Sequence, residues 1–315
     1  MNTFFVKLLS CFIFNKSKRH IFVNKYTNNI KKYGSKKIIT GQATQDLIIE
    51  KLSSNSPCLI CRFGNNEFRT LYAYLKQNQN YSEKLQARMN TGAGFFPVNK
   101  DTLNEFSEKL LQIIQNIDIL AAWGNEKESK ICKEYFSQNT DYINLDSLSA
   151  ITYDRPWTSI LKSKKVLVIH PFEESIQKQY KKRELLFNNK ETLPEFELIT
   201  IKPVQSIADN KSDYPYKNWF EALENMKNAI SKIDFDIAII GAGAYGIFLA
   251  DYCKRLGKQA VHMGGATQIL FGIAGKRWDI EYPEIRDKYY NEYWVRPSEN
   301  ERPKGFDKVE GGCYW

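Results

Sequence analysis

The sequence predicts an α/β fold, a mostly parallel sheet with helices on both faces. Three observations carry this. From about Thr40 onward, short apolar runs alternate with segments of helical period. The run "KKVLVIHPF" is apolar at consecutive positions, the pattern of a strand buried on both faces. "FDIAIIGAG" is a similar run that passes straight into a glycine-rich turn and a helix.

The elements follow in order. "ATQDLIIEKLSS" reads as a helix and "PCLICRFG" as a strand. "NNEFRTLYAYLKQ" is helical, with Phe68, Leu71, Tyr72 and Leu75 on one face. "DTLNEFSEKLLQIIQNI" is an amphipathic helix expected to be capped by Asp101. "DILAAW" is a strand, and "EKESKICKEYF" the helix after it. Beyond "KKVLVIHPF", "EESIQKQYKKRELLF" reads as one charged amphipathic helix. "FELITIKP" is a strand and "KNWFEALENMKNAISKI" a helix. After "FDIAIIGAG", "AYGIFLADYCKRLG" is a helix closed by Gly257, and "QAVHMGG" is the next strand. A weakly marked sub-boundary falls near 150–163.

Charge divides the chain into an arm, residues 1–40, and an α/β body, residues 41–315. Up to Gln45 there are nine Lys or Arg and no acid; the remainder carries 36 of each sign. A neutral body argues against nucleic acid as a partner. "FFVKLLSCFIF" is too short to span a bilayer, which takes about 20 apolar residues. Its basic flank follows it, the reverse of a signal peptide. That order suits an interfacial helix on an anionic membrane surface. The expected location is cytoplasmic, peripheral on the inner face of the cytoplasmic membrane. Six scattered cysteines do not make a disulfide framework. Cys58 and Cys61 sit an odd distance apart in a strand, so they point to opposite faces.

Ligands of parallel sheets bind at the carboxyl ends of the strands, and three strand ends collect polar chemistry there. The first holds Arg62, Gly64, Asn65 and Glu67. The second holds His170. The third holds Gly241, Gly243, Tyr245 and Gly246, with His262, Gly264 and Gly265 one strand later. Gly241 to Gly246 fits the phosphate-cradling GxGxxG pattern after a strand and before a helix. A dinucleotide site would also want an acid at the end of "QAVHMGG", and none is there. The alternative is a tight turn that packs helix on sheet. His170 and His262 are candidate bases or phosphate donors. "GGATQILFGIAGKRWD" adds Gln268, Lys276 and Arg277, groups suited to a diphosphate.

"CRFGNNE" resembles the strand-end RFGDGE-like motif of bacterial glycosyltransferases with the GT-D fold. "IHPFEESIQKQY", "GAGAYGIFLADYCKRLGKQAVHMGGATQILFGIAGKRWD" and "DKVEGGCYW" resemble bacterial proteins found among polysaccharide genes. The resemblance covers roughly residues 45–315. It implies a Rossmann-like fold and transfer of a sugar from a nucleotide-sugar co-substrate, a UDP-sugar, to a glycan or lipid-linked acceptor in surface polysaccharide synthesis. It also implies an acidic pair assisted by a divalent metal, Mn or Mg. Glu67 stands at the second acid, Asn65 at the first, and Arg62 and Gly64 match; the amide at Asn65 weakens a hard-cation site. Two other readings stay open: a nucleotide-dependent (NAD or FAD) oxidoreductase, and a non-catalytic scaffold that retains the fold.

Overall fold

The buried tetrapeptide Cys58–Cys61 shows how the molecule is layered. Alternate side chains of a strand leave on opposite faces. Leu59 and Cys61 join one apolar cluster, and Cys58 and Ile60 join another. The two cysteines therefore point apart, as their spacing predicts. Both are free thiols, as are Cys132, Cys253 and Cys313. The structure, a computed structural model, describes residues 29–207 and 214–315.

In chain order the elements are β1 (Lys32–Tyr33), β2 (Lys36–Lys37), α1 (Gln42–Ser53), β3 (Cys58–Cys61), α2 (Asn65–Lys76), α3 (Glu83–Thr91), α4 (Lys100–Ile114), β4 (Ile119–Ala122), α5 (Glu126–Tyr135) and β5 (Asp141–Asn144). After three 3-10 turns come β6 (Lys165–Ile169), α6 (Glu173–Tyr180), α7 (Arg183–Leu186), β7 (Glu197–Ile201), α8 (Trp219–Ile230), β8 (Ile237–Ile240), α9 (Gly246–Arg255), β9 (Gln259–His262), α10 (Ala266–Leu270), α11 (Lys276–Glu281) and α12 (Pro283–Tyr289).

Seven strands form one sheet in the order β5-β4-β3-β9-β8-β6-β7. Every pair in it is parallel. The predicted α/β class is what the chain adopts. One apolar cluster packs α2, α4, α5, α8 and α9 on one face. The other packs α1, α6, α10 and the C-terminal helices on the opposite face. Strands on either side of residues 150–163 share this sheet through the β3–β9 pairing.

Four local expectations are corrected. Asn99, not Asp101, caps α4: its side chain accepts the Thr102 N–H at 2.9 Å, and the Thr102 hydroxyl accepts the Asn99 N–H at 3.1 Å. The charged segment 173–186 breaks into α6 and α7. β5 and α3, absent from the sequence reading, are present. Residues 29–40, counted with the arm, pack on the body. The Ile30 N–H donates to the Gly124 carbonyl at 2.9 Å, the buried Tyr33 hydroxyl donates to Glu128, and Ile39 bridges to Ile143. The rest of the arm, with the proposed membrane-binding run, lies outside the described residues. Among the described residues no helix is long and apolar enough to cross a membrane.

Candidate functional site

All seven strands point their carboxyl ends at one rim, where the polar turns meet. β3 delivers Arg62. The buried Phe63 packs against Phe68 and Phe136, which fixes the backbone just after the strand. The Phe63 carbonyl accepts Arg62 Nε at 3.1 Å, Arg62 Nη2 at 3.0 Å and Trp123 Nε1 at 3.0 Å. The guanidinium carbon stands 5.0 Å over the Trp123 ring. Two of its nitrogens are thus committed. Nη1 has no hydrogen-bond partner among the described residues and faces the next turn, 3.4 Å from where a Cβ on Gly264 would sit. Burial lowers the Arg62 pKa without a nearby acid fully offsetting it.

Gly64 caps α2 in extended conformation, and Glu67 is the third residue of that helix. Glu67 is 8% exposed, and its carboxylate folds back over Gly64 at the helix start. A Cβ at residue 64 would collide with it. Burial pushes the Glu67 carboxyl up; the N–H groups of Glu67 and Asn66, and Arg62, pull it back. Asn65, at the first helical position, is exposed.

These residues do not fit a divalent-metal site. Glu67 is the one carboxylate of the turn and is already turned onto its own helix. Among the described residues no three His, Cys, Asp or Glu side chains converge in a way that could hold a metal. An exposed amide at Asn65 does not replace the missing ligands of a hard cation.

The glycine-rich turn after β8 is spent largely on packing. A Cβ on Gly241 would lie 2.5 Å from His170 Cδ2, 2.7 Å from the Gly264 carbonyl and 2.9 Å from Thr267 Oγ1. One on Gly246 would overlap the His262 ring. Only Gly243, at φ +52°, opens onto free space. Tyr245 is 2% exposed, stacks on Trp219 at 4.5 Å, and shares a 2.9 Å hydrogen bond with Ser206. It anchors the turn to the core and offers a ligand little.

The two histidines are equally enclosed, and burial lowers each to about 3. His170 Nδ1 accepts the Phe172 N–H at 3.0 Å. A neutral ring then carries its proton on Nε2 and has no lone pair left for a base. His262 Nδ1 lies 3.1 Å from the Ile240 carbonyl, which makes it the protonated nitrogen and keeps the ring under the start of α9.

The turn after β9 is roofed by the C-terminal segment. A Cβ on Gly265 would stand 2.5 Å from Tyr314 Cε1. Arg277 donates from Nη1 to the Tyr314 hydroxyl at 3.2 Å and lies 4.7 Å over its ring. Its Nη2 reaches Glu310 and Cys313 Sγ. Lys276 Nζ donates to the Gly311 carbonyl at 3.0 Å. Gln268 Nε2 holds the carbonyls of Ile273, Ala274 and Tyr314. Trp315 packs edge-on to Phe172 at 5.6 Å, so the segment crosses from the β9 end to the β6 end. Arg277 pulls the Tyr314 phenol down, but burial with Cys313 and Glu310 nearby leaves it raised; Arg62 also acts on it. Three buried atoms here lack hydrogen-bond partners: Thr267 Oγ1, Gln268 Oε1 and Trp315 Nε1. Native structures leave few such atoms.

The rim therefore joins Arg62, Glu67, Gly264, Gly265, Gln268, Lys276 and Arg277 in one neighbourhood. Gly243 shares the edge two strands from β3, roughly 10 Å at ordinary strand spacing. Trp123, Thr267, Tyr314 and Asp146 belong to it; Trp123, Thr267 and Asp146 were missed from sequence. Asp146, just past β5, is raised by burial and lowered by Arg62. Recognising β5 would have placed it on the rim.

No protein-family model matches the chain, and no curated protein matches it. Solved structures similar to it include a selenomethionine-substituted domain of unknown function 1792, 13% identical, with a TM-score of 0.48 over 91% of this chain and 92% of that one. A second structure of that domain, described as having a distinct glycosyltransferase fold, is 12% identical with a TM-score of 0.46 over the same shares. A third, described as a new glycosyltransferase from Streptococcus sanguinis, is 12% identical with a TM-score of 0.40 over 85% of this chain and 93% of that one. These likenesses are distant, and the functional reading rests on the rim's own residues.

Proposed function

We propose that the chain is a glycosyltransferase that moves a sugar from a nucleotide diphosphate sugar, a UDP-sugar, to a glycan or lipid-linked acceptor in surface polysaccharide synthesis. One observation supports this above the others. Arg62 presents an unpartnered Nη1 to Gly264, and Arg277, near enough to act on Arg62, holds the Tyr314 ring that packs on Gly265. Two guanidinium groups across a glycine turn suit a diphosphate, whose oxygens take paired N–H donors.

In direct displacement, the acceptor hydroxyl oxygen bonds to the anomeric carbon as the bond from that carbon to the diphosphate oxygen breaks. The leaving diphosphate keeps the electron pair, and Arg62 and Arg277 stabilise its charge. Glu67 takes the acceptor proton. A buried carboxylate with a raised pKa suits that role better than either enclosed histidine. The basic arm brings the enzyme to the inner face of the cytoplasmic membrane.

The oxidoreductase reading is weakened by the first and third glycines of the β8 turn. Both are filled against histidine rings, where a dinucleotide would need open backbone. The scaffold reading is favoured by Tyr314 and Trp315 lying across the rim. UDP-sugar hydrolysis separates the two. Turnover by the full chain that is lost in a folded Glu67→Gln variant supports the transferase. No turnover with any UDP-sugar supports the scaffold.

A further inference from the structure

A cavity of about 410 Å³ lies beside α11, and its walls include Ala274, Asp279, Arg286, Tyr290, Trp294 and Arg296. Its size falls within the roughly 300–1,000 Å³ of small-molecule sites. Arg277 and Asp279 are two residues apart on α11, which is about 200° around a helix. Arg277 therefore faces the C-terminal segment at the rim while Asp279 faces the cavity, and α11 is the wall between them.

That wall is built firmly. Trp294 Nε1 donates to the Leu186 carbonyl at 3.2 Å, and Asn291 Nδ2 to the Leu185 carbonyl at 3.1 Å. The Val295 N–H donates to Gly272, and the Ala274 N–H to Val295. Tyr290 and Trp294, four residues apart, stack at 4.4 Å. Arg296 Nη2 pairs with Asp279, while its Nε and Nη1 have no partner among the described residues. Arg286 pairs with Asp287 at 2.6 Å, donates from Nη1 to the Asp279 carbonyl at 3.5 Å, and stays half exposed. Asp279 Oδ1 and the Tyr290 hydroxyl are both buried without a closed hydrogen bond, and they lie near enough that burial and then Asp279 push the phenol up.

We propose that this cavity binds a saccharide carrying a carboxylate, of the hexuronate type. Guanidinium groups of Arg286 and Arg296 take the carboxylate in the paired geometry they favour. Asp279 Oδ1 can only accept, so it calls for a hydroxyl donor, and the Tyr290 hydroxyl takes a second ring oxygen. The aromatic pair covers the apolar face of the ring. A bare anion would meet the Asp279 charge with no hydroxyl to offer it. A neutral sugar would leave the arginines unused. The link of this site to an acceptor chain rests on the transferase reading; its binding does not.

Isothermal calorimetry on the full chain with D-glucuronate, D-glucose and sodium acetate tests this. Glucuronate is expected to bind saturably, with glucose and acetate each at least tenfold weaker. Arg296→Ala is expected to weaken glucuronate at least tenfold. Arg286→Ala, at an exposed position, is expected to do the same and keeps the test valid where Arg296→Ala unfolds. No glucuronate binding, equal binding of acetate, or unchanged affinity in folded Arg286→Ala overturns the proposal. Transfer activity enters none of these readouts, so failure of the transferase reading shows elsewhere.

Discussion

Gly246 and His262 compete for one space: a Cβ on the glycine would overlap the imidazole of the histidine. The third glycine of the β8 turn is there so that α9 can sit directly on the end of β9. Gly246→Ala is expected to cost about 1–3 kcal/mol, the range for overpacking a filled core. Urea denaturation measures it. The same change in a His262→Ala background should cost clearly less, because the two residues are coupled.

The buried histidines set a pH dependence. Each has a folded pKa of about 3 against an ordinary 6.5. Below pH 6.5 the unfolded chain takes up their protons and the folded chain does not, so their contribution to stability falls as pH drops toward 3. At pH 5 each ring costs about 2 kcal/mol relative to pH 8. Glu128 acts with the opposite sign. Burial raises it to about 7, so its contribution grows as pH falls from 7 toward 4.5. Thermal unfolding of Glu128→Gln should therefore show a steeper loss between pH 7 and pH 5 than wild type.

Deleting residues 1–28 should release the protein from vesicles containing anionic lipid. Deleting through Lys37 removes the Tyr33 hydroxyl that donates to the buried Glu128 carboxylate. That larger deletion should cost a further roughly 1–3 kcal/mol, the penalty for a buried polar group left unpaired. Co-sedimentation with vesicles and thermal unfolding read the two effects separately.

The C-terminal segment should behave as a cover. Removing residues 310–315 frees Arg277 from Glu310 and Tyr314. The truncated chain is expected to melt lower alone, yet to gain more melting temperature from UDP than the full chain gains. A smaller gain would mean that Tyr314 and Trp315 form part of the nucleotide site.

Much of the fold was legible because buried parallel strands are apolar throughout. "KKVLVI" and "DIAII" could hardly be anything else. β5 was missed because "DYIN" is four residues long with polar ends. α4 was found but its cap was misplaced, since Asn99 and Asp101 both look like caps and only geometry chooses. At the rim, sequence found the strand-end residues, which topology alone brings together. It could not tell which glycines face a ligand and which face a histidine ring, because that depends on side chains from neighbouring strands. The partner of Tyr314 was hidden for a similar reason: it reaches Arg277 from 37 residues away, a contact that no local pattern encodes.

The central claim is that Arg62 and Arg277 grip a diphosphate across the Gly264–Gly265 turn. Titrating UDP into wild type, Arg62→Ala and Arg277→Ala by calorimetry, with NAD as the control nucleotide and with and without Mn, tests it most directly. The account predicts saturable UDP binding, no NAD binding, at least tenfold weaker UDP in each folded variant, and no gain from Mn. UDP affinity unchanged in both folded variants, or NAD bound in preference to UDP, would contradict it.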